Sequence, residues 1–137
     1  MQKNQTNEFL TACMTDDVDK IKSMLPNIDI HENDDLGFRV AVGSISYRTI
    51  DLLLDLGANI NASSGEPLAT AVASKDLKLI SHLSEKGARI INMTKNHFHG
   101  IETSINNDDI QSAIQSGRLR GQVQVKSVNP SSYDLGL

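Results

Sequence analysis

Residues 50–61 read IDLLLDLGANIN, and this stretch determines how the rest of the chain is interpreted. Residues 80–90, ISHLSEKGARI, follow the same pattern thirty positions later, and residues 110–117, IQSAIQSG, follow it after thirty more. A fixed period of about 20–50 residues is typical of repeat proteins, in which each unit buries its apolar face by stacking on its neighbours. The sequence therefore predicts a solenoid.

Each repeat is expected to contain two helices. Apolar residues in the stretch 9–25 recur with helical spacing, and the pattern is broken at residues 15–17. Asp16 is expected to cap the second helix of this pair by accepting bonds from free backbone N–H groups. Pro26 is expected to end that helix, because the residue before a proline is pushed out of the helical region.

Further helix boundaries follow from glycine, proline and aspartate. Pro67 suits the first turn of a helix, where its missing N–H is no loss. Residues 108–109, both aspartate, indicate the start of the last helix, where negative charge is favourable. Three glycines follow helical runs and are expected to end them in a left-handed conformation, namely Gly57, Gly87 and Gly117.

The repeated sequence segments resemble those of a known protein family. Residues 52–62, LLLDLGANINA, resemble the end of an ankyrin repeat, and residues 66–72, EPLATAV, resemble its start, Thr-Pro-Leu-His-x-Ala-Ala. The resemblance extends over residues 6–117 and is weakest in the terminal copies, as expected for capping repeats. It implies an all-α fold, an ankyrin-repeat solenoid of helix-turn-helix units with short hairpin loops.

The resemblance also divides the chain. It implies an ankyrin-repeat domain over residues 1–117 and a C-terminal tail over residues 118–137. An ankyrin repeat usually has ~33 residues, so the shorter period predicts a stubby finger between the second and third repeats. The repeats are assigned roughly to residues 6–33, 34–63, 64–93 and 94–117.

The tail contains one further pattern. Residues 122–128, QVQVKSV, alternate polar and apolar side chains, which predicts a strand. A lone strand is not stable, so this segment would cap the last repeat, pair with another molecule or stay flexible. We expect a strand-like cap, because the fourth repeat leaves one end of the stack open.

Composition limits the class of protein. The chain has 137 residues, a net charge of −4 and a single cysteine, Cys13, which excludes an internal disulfide. A lone cysteine is typical of a reducing compartment, so a cytoplasmic location is expected. The sequence shows no apolar run of membrane-spanning length, and its first residues do not resemble a signal peptide.

Charge is distributed unevenly. Residues 1–66 carry eleven acidic and five basic side chains, whereas residues 67–137 carry six acidic and eight basic ones. Residues 29–35 hold four of the acidic side chains, and the repeat pattern places them on the first hairpin. They could steer a basic partner, or they could only keep a solvated loop soluble.

Motifs for chemistry are missing from the sequence. There is no Gly-rich phosphate loop before a helix, no nucleophile elbow and no set of residues at metal-ligand spacing. We therefore predict no catalytic residue, no cofactor and no metal. The acidic balance argues against direct nucleic-acid binding, and we expect a monomer or weak homo-oligomer.

The resemblance implies where a partner would bind. Ankyrin repeats usually contact partners through finger tips and exposed positions of the first helices. Arg39 stands where the family often has histidine, and it could reach a partner carboxylate. Tip candidates are Glu32, Asn33, Asp34, Asp35, Ser63, Ser64, Gly65, Thr94 and Lys95. First-helix candidates are Met14, Thr15, Gly43, Ser44, Ala73, Ser74, Thr103 and Ser104.

These expectations lead to a functional hypothesis. The chain is predicted to be a non-catalytic protein-binding module, an inhibitor or adaptor that masks a partner. An immunity protein or a viral or phage antagonist would fit, directed at a basic nucleic-acid-binding target. Two alternatives are a self-assembling unit joined through the tail strand and an enzyme with a site hidden in the groove.

Overall fold

The computed structural model describes residues 3–91 and 107–128, with side chains at 4–91 and 107–122. Within these ranges the backbone forms seven helices and no strand, which confirms the prediction of an all-α chain. The helices are α1 Lys3–Met14, α2 Val18–Met24, α3 Glu32–Gly43, α4 Tyr47–Asp55, α5 Ala62–Ser74, α6 Leu77–Glu85 and α7 Asp108–Val128.

The first six helices form pairs joined by short turns. Residues 15–17 connect α1 to α2, residues 44–46 connect α3 to α4, and residues 75–76 connect α5 to α6. Between the pairs, α1 packs on α3, α3 packs on α5, and α2 packs on α4. Helix α7 packs on α6. The connection from α4 to α5 is only six residues long, in agreement with the prediction of a short finger there.

The thirty-residue period reappears in the core. Ile50 in α4 and Ile80 in α6 hold the same position of the pattern, and neither is exposed. Leu53 and Leu83, three residues further along, are at most 1% exposed. Ile110 in α7 continues the first row at 3% exposure. Burying an aliphatic side chain of this size stabilises the fold by about 1.5–3 kcal/mol, so this repeated row anchors the second helices in the core.

The prediction that Asp16 caps α2 is wrong. The cap is Asp17, whose carboxylate accepts a hydrogen bond from the Lys20 N–H at 3.1 Å. Asp16 has a left-handed backbone, and its carboxylate accepts from the Thr49 N–H at the start of α4 at 2.8 Å. The residue after α2, Leu25, is extended, which confirms that the helix ends before Pro26.

Two of the three glycine predictions are confirmed. Gly57 and Gly87 both have φ +98° and follow α4 and α6. The third is wrong, because α7 continues through Gly117. A Cβ on Gly117 would overlap the Ser81 carbonyl oxygen and would stand 2.8 Å from the Ser84 Cβ. Glycine at this position therefore lets α7 approach the backbone of α6.

The predicted strand over residues 122–128 is also wrong. These residues form the last part of α7, and this helix crosses the predicted boundary between residues 117 and 118 without a break. Asn107 starts the helix, since its side-chain oxygen accepts from the Asp109 N–H at 2.9 Å. Extending an anchored helix adds one backbone hydrogen bond per residue, whereas an isolated strand has no partner. For residues 122–128, continuing α7 is therefore more favourable than forming the strand that their alternating pattern predicted.

Candidate protein-binding face

Helices α3 and α5 both begin with an unusual backbone turn. Residues 33–35 have φ of 55–57°, and residues 63–65 have φ of 52–85°, so three consecutive residues are left-handed in each case. The two turns are thirty residues apart. A left-handed conformation costs a non-glycine residue roughly 1–2 kcal/mol, so the surrounding contacts must hold these turns in place.

The first turn is held by carboxylates. Asp35 is only 4% exposed, and its carboxylate accepts from the Asn59 N–H at 2.7 Å. The same carboxylate lies 3.1 Å from the His31 Nδ1. Asp34 is exposed, and its carboxylate accepts from the Ser63 N–H at 2.9 Å. Both aspartates therefore bind the backbone of the next turn, and we call residues 33–35 with residues 59–66 the first junction.

Arg39 completes the first junction. Its guanidinium donates to the carbonyl oxygens of Asn33 at 2.8 Å and Asp34 at 3.0 Å. It also lies 3.2 Å from a carboxylate oxygen of Glu66, the residue that follows the second left-handed turn. The prediction that Arg39 reaches a partner is not supported by this geometry, because its guanidinium is engaged within the chain.

The second turn contributes no carboxylate of its own to the contacts with the next segment. The Asn61 side-chain oxygen accepts from the Arg89 N–H at 2.7 Å, and the Ser64 carbonyl accepts from the Ile91 N–H at 3.3 Å. Gly65 is buried, and a Cβ on it would overlap the Arg89 carbonyl oxygen. Residues 61–65 with residues 87–91 form the second junction, where close backbone packing replaces charge.

Several predicted tip residues are therefore parts of the scaffold. The prediction that Asp35 is an exposed contact is wrong, because a shortened connection needs its carboxylate as a buried hydrogen-bond acceptor. Gly65 is also buried, and Ser63 and Ser64 are half-buried. Glu32 is half-buried and Asn33 is exposed. The remaining predicted residues, Thr94, Lys95, Thr103 and Ser104, lie outside the described residues.

The first helices present a regular face instead. Each of α1, α3 and α5 carries three positions that are four residues apart, and equivalent positions in successive helices are thirty residues apart. Equivalent positions have the same degree of burial in all three helices. The first two positions are half-buried and the third is exposed in every helix. This face consists of Thr6, Leu10 and Met14 in α1, Leu36 and Val40 in α3 with Ser44 directly after it, and Glu66, Thr70 and Ser74 in α5.

Small predicted residues lie beside this face. Gly43 and Ala73 are exposed, and no atom lies within 4 Å of the position that a Cβ on Gly43 would take. Ser44 and Ser74, also predicted, belong to the third row of the face. The structure thus brings the predicted residues Met14, Ser44 and Ser74 into corresponding positions on three neighbouring helices, and the open space allows a partner's backbone to approach closely.

The face changes character from one end to the other. Its α1 and α3 positions are mostly apolar, with Met14 55% exposed, whereas its α5 positions are polar. A small cleft opens between α1 and α3, with Leu10 and Leu36 among its lining and with Asp29 and Glu32 beside them. Exposed apolar side chains next to polar ones are typical of protein interaction sites.

A second cluster of side chains joins α4 to α6 and was missed by the sequence reasoning. His82 lies 2.7 Å from the Asp51 carboxylate, and its ring meets the Tyr47 ring edge-on at 5.5 Å. The Lys78 ammonium lies 5.2 Å from the centre of the Tyr47 ring. Burial raises the pKa of the Tyr47 hydroxyl, and the carboxylates of Asp76 and Asp51 raise it further. These residues are spaced by four within each helix and by 31 between Asp51 and His82, so the repeat period could have indicated their contact.

The remaining reactive group is Cys13, which is fully buried beneath α3. Burial raises the pKa of its thiol to about 12, so little thiolate, the nucleophilic form, is present at neutral pH. In the part of the chain that the structure describes, no three His, Cys, Asp or Glu side chains come together as a metal site would require. None of the described helices has the length and apolar composition needed to span a membrane.

The chain matches no protein-family model, no curated protein and no solved structure. The evidence for the candidate binding face is therefore the geometry of this chain itself.

Proposed function

We propose that this chain is an ankyrin-type solenoid that binds another protein through the face formed by α1, α3 and α5. The observation that carries the proposal is the threefold recurrence of burial along this face, at positions thirty residues apart. Stacked helix pairs create extended surfaces of this kind, which repeat proteins use for binding. By covering part of a partner's surface, this face would act as an inhibitor or adaptor.

The junctions support this proposal. Backbone and side-chain hydrogen bonds tie residues 33–35 to residues 59–66 and residues 61–65 to residues 87–91. They fix the spacing of α3 and α5, so the face is organised before a partner arrives. A pre-organised surface binds more tightly because less conformational entropy is lost on association.

Self-assembly through a tail strand loses its structural basis. The residues that were predicted to form this strand, 122–128, are helical and continue α7. A helix satisfies its own backbone hydrogen-bonding groups and therefore offers no strand edge for pairing.

Partner capture with matched variants tests the proposal. The wild-type chain, a Ser44→Arg variant and a Ser112→Arg variant would each be used to capture partners from the source cells. Ser44 lies in the exposed row of the face, whereas Ser112 is an exposed residue of α7. An arginine at position 44 would sterically obstruct the centre of the face, so we expect it to weaken binding about tenfold or more. The Ser112→Arg control should bind like the wild type.

The outcomes separate the elements of the proposal. One stoichiometric partner that is retained by Ser112→Arg and lost by Ser44→Arg supports binding through this face. Equal capture by all three proteins places the partner elsewhere, and no specific capture by the wild type rejects the binding function. Adding the chain to the purified partner then distinguishes an inhibitor, which lowers the partner's activity, from an adaptor, which leaves it unchanged.

A further inference from the structure

The cleft between α1 and α3 indicates what kind of partner segment the face accepts. Its apolar lining includes Leu10 and Leu36, both half-buried. When a second apolar surface covers the exposed part of a half-buried leucine, water is removed from both surfaces and binding is favoured. The cleft is too small to enclose a whole side chain, so an aliphatic side chain of a partner would cover Leu10 and Leu36 from outside.

The rim of this cleft is acidic, and its charges differ in their availability. Asp34 and Asp35 accept hydrogen bonds from the next turn and hold the first junction. Asp29 accepts from the His31 N–H through one carboxylate oxygen, at 2.9 Å. The Glu32 backbone N–H donates to the Asp29 carbonyl at 3.2 Å, but the Glu32 carboxylate makes no hydrogen bond or ion pair with any residue in the described ranges. The Glu32 carboxylate and the second oxygen of Asp29 therefore remain as acceptors at the edge of the cleft.

The other end of the face offers no comparable charge. Its one ionised side chain, Glu66, is paired with Arg39 at 3.2 Å, and the remaining α5 positions are Thr70 and Ser74. A cation on a bound partner would therefore be attracted towards the α1–α3 end. Complementary charge of this kind fixes the orientation of a partner and rejects acidic competitors.

We propose that the α1–α3 cleft binds a partner segment in which an aliphatic side chain lies next to a lysine or arginine. The aliphatic side chain would contact Leu10 and Leu36, and the cation would pair with Glu32 and Asp29. This inference rests on the proposed function, because it specifies the chemistry of a partner at the same face.

Peptide selection tests the inference without a known partner. A display library of random short peptides would be selected on the immobilised full chain, and enriched peptides would be synthesised and titrated. We expect the enriched sequences to combine an aliphatic residue with a neighbouring Lys or Arg. The same peptides should bind about tenfold more weakly to Glu32→Lys and to Leu36→Ser. An Asp55→Lys variant supplies the matched charge reversal on α4, which contributes nothing to the face, and should bind like the wild type.

Folding of each variant would be confirmed by circular dichroism and thermal melting, and Leu10→Ser gives a second test of the apolar contact should Leu36→Ser fold poorly. Enriched peptides that lose affinity in Ser44→Arg but carry no basic residue would overturn this inference while leaving the proposed face intact. An equal loss of affinity in Glu32→Lys and Asp55→Lys would reduce the effect of Glu32 to net charge and also overturn it. Peptides whose affinity no face substitution changes, or the absence of any enrichment, would count against the proposed function itself.

Discussion

The two left-handed turns have the same geometry and different chemistry. The first, residues 33–35, contains no glycine and is held by two carboxylates and an arginine. The second, residues 63–65, ends in a glycine that packs directly on the backbone of residues 89–91. The same turn thus recurs thirty residues apart, and it is held by charge in the first case and by close packing in the second.

The difference also distinguishes acidic side chains that hold the fold from an acidic side chain that remains available to a partner. Three of the four acidic side chains in residues 29–35 accept backbone hydrogen bonds, and only Glu32 has no such role among the described contacts. The acidic cluster of residues 29–35 resembles a binding patch in the sequence. In the structure most of it holds the fold at the first junction, a role that close packing of Gly65 takes at the second junction. Substitutions at the two junctions should consequently have different effects.

The largest effect is expected for Gly65→Ala. A methyl group at this position would overlap the Arg89 carbonyl oxygen and would stand 2.7 Å from the Ile91 nitrogen. We expect the free energy of unfolding to fall by about 4 kcal/mol, as backbone strain adds to overpacking. Urea denaturation followed by circular dichroism would measure it.

Gly57→Ala is the matched control, because Gly57 is also left-handed but has no atom near its Cβ position. It should lose only the strain, about 1–2 kcal/mol. Equal losses for the two variants would show that packing at the second junction contributes nothing.

The next effect concerns the first junction. Asp35→Ala removes the buried acceptor of the Asn59 N–H, whereas Asp34→Ala removes an exposed one. Both residues have nearly the same φ, 56° and 57°, so the strain of alanine cancels in the comparison. Asp35→Ala should cost about 1.5 kcal/mol more, because its hydrogen bond to the Asn59 N–H is partly buried, whereas the bond made by Asp34 is exposed to water. If the two variants unfold at the same urea concentration, the carboxylate of Asp35 does not hold the turn.

Much of the fold could be predicted from the sequence. The apolar pattern of residues 50–61 and its repeats indicated the paired helices, and glycine marked the ends of α4 and α6. The errors came where tertiary contacts override local pattern. Gly117 looks like a helix end, but it serves close packing of α7 on α6. Asp16 and Asp17 are chemically identical, so only the structure shows which one caps α2.

The sequence predicted the exposed row of the candidate face, but it did not predict which acidic side chains remain available at the rim of the α1–α3 cleft. Positions such as Ser44 and Ser74 follow from the resemblance to ankyrin repeats. Sequence could not show that Asp34 and Asp35 bind backbone groups, because three consecutive left-handed residues are rare. A run of Asn and Asp is nevertheless the one non-glycine signal for that conformation, and it is present at residues 33–35.

A pH effect is expected beside the first turn and has no counterpart beside the second. Gly37, which follows the first turn, packs against Cys13, whereas the corresponding residue after the second turn is Pro67. Burial raises the pKa of the Cys13 thiol from 9.0 to about 12. The unfolded chain therefore loses this proton first, so the stabilisation is complete below pH 9 and is lost as the pH rises towards 12.

The free energy of unfolding should fall by up to about 1.4 kcal/mol per pH unit in this window. Urea denaturation of the wild type and Cys13→Ala between pH 8 and pH 11, under reducing conditions, would measure it, since other titrating groups cancel in the difference. A constant difference between the two proteins would contradict the assigned burial of the thiol.

The smallest effect tests how much the ion pair of Arg39 and Glu66 adds to the first junction. Arg39 belongs to the first junction and Glu66 follows the second turn, and their side chains are only 18% and 28% exposed. A double-mutant cycle with Arg39→Ala and Glu66→Ala should give a coupling energy of about 0.5–1 kcal/mol. Added salt should reduce it, because screening weakens an ion pair that is still partly in water. A coupling energy of zero would mean that the first junction depends on the carboxylates of Asp34 and Asp35 and not on this ion pair.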